Sequence, residues 1–108
     1  MQLQMHWGTF VKATPKTAPG TTSVRLCLEI AETALRRFNF AIFDPADQTG
    51  DFAVGGIGPK PGGEVIVQVV GVPLDPIHTW MIVSASSNSS AAAEQSRNSI
   101  RAFIVNGA

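Results

Sequence analysis

The chain has 108 residues, of which 44% are apolar and only 15% charged, and its eight basic side chains balance eight acidic ones. That length suits one α+β-sized domain, residues 1–108, with a core that needs no metal or disulfide staple. The cations, including Lys12, Arg25, Lys60 and Arg97, are scattered along the chain, so the clustered basic stripe that a nucleic acid or an anionic membrane surface requires is missing.

Met1, Leu3, Met5 and Trp7 alternate with Gln2, Gln4 and His6, the period-two signature of a strand with one buried face, continuing to about Val11. This stretch has no basic lead and no continuous apolar core, so it does not read as a signal peptide. Thr14 to Thr22 holds Pro15, Pro19 and Gly20 and reads as a loop. Val24, Cys27, Leu28, Ala31, Ala34, Leu35 and Phe38 then recur at the spacing of one helical face, with Thr22 or Ser23 placed to cap the start. Glu32 and Arg36 stand four apart in the favourable order, and Arg36 and Arg37 lie in the last turn, where the helix dipole favours cations.

Four β-like runs follow: Phe40 to Phe43, Phe52 to Ile57, Glu64 to Val72 and His78 to Ala85. Turn-forming breaks separate them at 44–50, 58–63 and 73–76, and connections this short join antiparallel neighbours. The run from Val65 to Leu74 is broken by Gln68, Gly71 and Pro73 and is too short to span a bilayer. Serines from 86 to 90 offer caps for a closing helix that runs from Ala91 to about Val105. Ala93, Arg97, Ile100, Phe103 and Ile104 lie on its inner side and Gly107 past its end.

The order β-α-β-β-β-β-α predicts an antiparallel sheet of four to five strands with two helices packed on one face. Such a sheet should be polar on its other face. Instead Val65, Val67 and Val69 oppose Ile66, Val70 and Val72, and Met81 and Val83 oppose Trp80 and Ile82. Both faces are apolar, so something other than water is expected on the second, and a homodimer is the favoured reading.

Chemical motifs are sparse. Gly55-Gly56-Ile57-Gly58 lacks the following Lys-Ser/Thr of a phosphate loop and reads as part of a hairpin. Asp44, Asp47 and Asp51 do not fit the spacing of a calcium loop. His6 and His78 are the only imidazoles and have no short histidine spacing that would mark a metal site. Cys27, the single cysteine, excludes an intrachain disulfide and is expected as a small core residue; the cytoplasm is the default compartment. His78 and Asp75 with one of the serines from 84 to 90 supply the residue types of a hydrolytic triad, without a Gly-x-Ser-x-Gly elbow. The start of the closing helix, with Arg97 further along it, is a possible anion site.

Two functional classes follow. The first is a non-catalytic interaction module that self-associates through its second sheet face, with no cofactor. The second is a ligand carrier or small enzyme with a pocket between sheet and helices, for which Trp7, His6, His78, Trp80 and Arg97 are the candidate ligand-binding residues.

Overall fold

The computed structural model describes residues 3–14, 22–44, 52–60 and 63–106. The elements run β1 (Gln4–Ala13), α1 (Ser23–Arg37), β2 (Ala41–Asp44), β3 (Ala53–Lys60), β4 (Gly63–Asp75), β5 (His78–Ser87) and α2 (Ser90–Asn106). They form one antiparallel five-stranded sheet in the order β1-β5-β4-β3-β2, with both helices against one face, as the element order predicts. Most of the loop after β1, the break after β2 with Asp47 and Asp51, and Gly107 lie outside the described residues.

Helix α1 forms where its apolar spacing places it. Thr22 is the N-cap and its hydroxyl accepts from Arg25 N–H. Cys27, Leu28, Ala31, Ala34 and Leu35 are fully buried on the sheet, while Arg25–Glu29 and Glu32–Arg36 pair on the outer side. In α2 the cap is Ser89, whose hydroxyl accepts from Ala92 N–H, and Ala92, Ala93, Ser96, Ile100 and Ile104 face inward. The helices meet at the edge-to-face pair Phe38 and Phe103, 6.3 Å between centroids, a favoured aromatic geometry.

Beneath the helices lie Val54, Val65, Val67, Val69, Met81, Val83 and Ala85, all fully buried. Gly71 completes this surface: a Cβ there would stand 3.0 Å from Val24 Cγ2 and 3.3 Å from Thr79 Cγ2, so the missing side chain is what lets α1 approach β4. Thr79 and Ser23, two of the buried polar side chains of this layer, are hydrogen-bonded to each other at 2.9 Å, which removes the cost of burying two hydroxyls.

The strands exceed their sequence-based bounds. β3 continues through Pro59 to Lys60 and β4 starts at Gly63, so both strands reach into the second expected break, and β4 passes through Pro73 to Asp75. At that end the turn is closed by Asp75, whose Oδ1 accepts from the backbone N–H groups of Ile77 and His78.

One expectation is reversed. The apolar series Leu3, Met5 and Trp7 is not the buried side of β1; the helices cover the alternate set, Gln4, His6, Gly8, Phe10 and Lys12, while Met5 and Trp7 are 60% and 64% exposed. Alternation identifies the strand and its two faces, but register decides which face meets the helices. Ten unbroken pairs, from Gln4 with Ser87 to Ala13 with His78, set that register.

Candidate functional site

The strand pairing assembles the open face of the sheet in rows. Val11, Trp80 and Val72 form one row, and Thr9, Ile82, Val70 and Ala53 the next. Trp7, Ser84, Gln68 and Gly55 form the third, and Met5, Ser86, Ile66, Ile57 and Ala41 the fourth. At Gly55 the gap is filled from β2: a Cβ there would lie 2.8 Å from the ring of Phe43, itself 52% exposed. The result is an apolar surface five strands wide with a short polar strip of Ser84, Ser86 and Gln68 across it. Trp80 is 38% exposed and Trp7 more so; both tryptophans of the chain lie on this face.

The other candidate residues are dispersed. His6 pairs across from Ala85 and His78 across from Ala13, seven positions apart along the same ladder, or roughly 23 Å at about 3.3 Å per residue. They also point to opposite faces, so they share no ligand. No group of three or more His, Cys, Asp or Glu side chains with metal-binding proximity occurs among the described residues.

The residue types of a hydrolytic triad are split in two. His78 Nδ1 lies 2.8 Å from both carboxylate oxygens of Asp75, but Ser84 is six residues further along the strand. At the other end His6 Nε2 lies 2.8 Å from Ser90 Oγ, exposed at the start of α2, and no ion pair joins His6 to a carboxylate among the described residues. One half has the base and its orienting acid, the other the base and a hydroxyl. Neither holds all three roles that the mechanism needs. The Asp75 carboxyl is held below the ordinary carboxylate range, first by the Ile77 backbone N–H and then by His78. It acts as a turn cap.

Arg97 turns away from the helix start. Its side chain crosses Gly8, where a Cβ would stand 2.8 Å from Nη1, and Nη1 donates to the Trp7 carbonyl at a long 3.4 Å. Thr14 N–H bonds to the Ile77 carbonyl, so the even-numbered residues of β1 bond inward to β5 and the odd-numbered carbonyls face out. Arg97 therefore caps a free carbonyl on the edge strand, and its Nε is buried without a hydrogen-bond partner among the described residues. Cys27 is fully buried, in keeping with a packing role.

Sequence reading did not place a cleft of about 300 Å³ on the helix side, between the end of α1, Lys60 of β3 and the first half of α2. Lys60 crosses to it from the sheet, donates from Nζ to the Phe38 carbonyl and sits 4.1 Å from the Phe40 ring centroid. Desolvation holds its ammonium below the ordinary lysine pKa. The flanking prolines of Lys60 were visible in the sequence; its reach to the end of a helix 22 residues earlier was not.

Compared with known protein families, characterised proteins and solved structures, the chain matches none.

Proposed function

We propose that the protein is a non-catalytic interaction module that associates with a second copy of itself through the open face of the sheet. The observation that carries this reading is the set of bulky apolar side chains at Met5, Trp7, Val11, Phe43, Ile66, Val72 and Trp80, all at least 36% exposed and gathered on one face of the sheet, with Val11, Trp80 and Val72 in one unbroken row. Isolated exposed apolar residues are ordinary, but this many gathered on one face mark an interaction surface. Its content is that of an interface: aromatic residues and methionine, which interface cores favour, and a centre without charge. A second copy fits it because the chain carries no net charge, so no long-range repulsion opposes self-association, and two sheet faces can stack about 10 Å apart with interdigitating side chains.

Sedimentation equilibrium of the wild type and of Trp80→Asp tests the reading. A wild-type dimer and a folded, monomeric Trp80→Asp are expected. A wild type that stays monomeric up to about 100 μM, where any association with a Kd in the micromolar range registers, would contradict it.

A further inference from the structure

The cleft at the end of α1 lies on the helix side, so what occupies it is independent of self-association through the open face. Its charge is one-sided. Arg37 and Lys60 line it, whereas no Asp or Glu does, and Arg37 forms no ion pair among the described residues. The negative end of the α1 dipole, which would otherwise repel an anion, is met by N–H donors at three of its last carbonyls. The carbonyls of Ala34, Leu35 and Arg36 accept from Phe38, Phe40 and Asn39 N–H groups, and Lys60 takes the carbonyl of Phe38. Lys60 has three N–H donors and spends one on that carbonyl. Across the cleft α2 presents the hydroxyls of Ser96 and Ser99, while Phe38, Phe40 and Ala92 supply an apolar wall.

We propose that this cleft binds a small organic anion that carries one apolar ring, with Lys60 and Arg37 taking the charge, Ser96 and Ser99 hydrogen-bonding to it, and the Phe38 and Ala92 side taking the ring. The volume sets the size. About 300 Å³ is the small end of the range for ligand pockets, roughly 300–1,000 Å³, which suits a single ring better than a dinucleotide or a fused polycycle. The aromatic and aliphatic lining favours a ring over a bare inorganic ion, and the absence of a carboxylate disfavours an amine.

The test titrates benzoate, neutral benzamide and cationic benzylamine into the full ¹⁵N-labelled chain and follows the amide signals. Benzoate is expected to move the signals of Asn39, Lys60, Ser96 and Ser99, with benzamide and benzylamine at least about tenfold weaker. Lys60→Met should weaken benzoate about tenfold or more, the scale of a charge-assisted hydrogen bond; Arg37→Gln, at an exposed position, should weaken it about two- to fivefold. Lys60 also caps α1, so Arg37→Gln carries the charge test if Lys60→Met fails to fold. Signals that stay fixed up to about 20 mM benzoate, equal binding of benzamide, or benzoate affinity untouched in Arg37→Gln would each overturn the proposal.

Discussion

The two faces of the sheet are made by the same strands, residue by residue, yet they are built differently. On the helix side the central strands carry mostly valine, with Ala85, Gly56, Gly58 and Gly71 between them and Met81 as a longer member, and these are buried against α1 and α2. On the open side the same strands carry Trp7, Trp80, Met5, Ile66 and Ile57, with Phe43 leaning over Gly55. Helices pack close to a sheet when the sheet surface is low, as at Gly71. Large flat side chains leave no room for a helix and present area to another surface. The difference teaches that apolar content alone does not mark a core; the size of the side chains tells which face is closed from within and which awaits a partner.

Substitutions placed in pairs across the sheet sharpen that contrast. The largest effect belongs to the closed side. Leu35→Ala removes a fully buried side chain from α1 and should cost about 2–5 kcal/mol by chemical denaturation, whereas a loss near zero would show that the helix is turned differently. On the open side Trp80→Asp should leave the urea midpoint of the monomer nearly unchanged and weaken self-association by about 2 kcal/mol or more, the scale of an interface anchor. Trp80→Asp that unfolds the chain would make Trp80 part of the core.

The two glycines form a matched pair. Gly71→Val meets Val24 and Thr79, both held in the packed layer, and should cost about 1–3 kcal/mol through overpacking. Gly55→Val meets only the half-exposed ring of Phe43, which can swing aside, so its cost should stay below about 1 kcal/mol. Equal costs would erase the contrast between the faces.

The smallest effect is at the β4–β5 turn. The native Asp75 carboxyl is held below its ordinary value of 3.8 by the Ile77 and His78 contacts, so folding favours the carboxylate. Its contribution is present above that value and fades as pH falls through the lowered native one. Asp75→Ala should therefore lower the urea midpoint slightly at about pH 6, and by less as the pH falls into the acid range. A penalty that grew in acid would contradict the assignment.

Much of the fold was legible because its signals are local. The 3.6-residue spacing from Val24 to Leu35, the Thr22 cap, the serines ahead of α2 and the antiparallel meander all follow from neighbours in sequence. The doubly apolar strands also announced the second face. What was not legible depends on register and on long-range approach. Which side of β1 faces the helices is set by pairing with β5, far along the chain, from Gln4 with Ser87 to Ala13 with His78, and period-two alternation is the same for either choice. The candidate site residues fared accordingly. Trp7 and Trp80 could be matched as apolar, but only the ladder places them on one face. His6 meets Ser90, and His78 meets Asp75, at opposite ends of the sheet. Arg97 reaches across Gly8 to the edge of β1, and the cleft over Lys60 has no sequence motif at all, since its lining comes from three elements.

The central claim is that the open face is covered by a second copy, and the chain supplies its own probes for it. Trp7 and Trp80 are the only tryptophans and both lie on that face, so their emission reads its solvation directly. Acrylamide quenching of tryptophan fluorescence over a dilution series is the most direct measurement. Blue-shifted, poorly quenched emission at high concentration that becomes red-shifted and readily quenched on dilution is the predicted result. Emission that stays red-shifted and readily quenched at every concentration would mean that the face stays open to water, and would contradict the account.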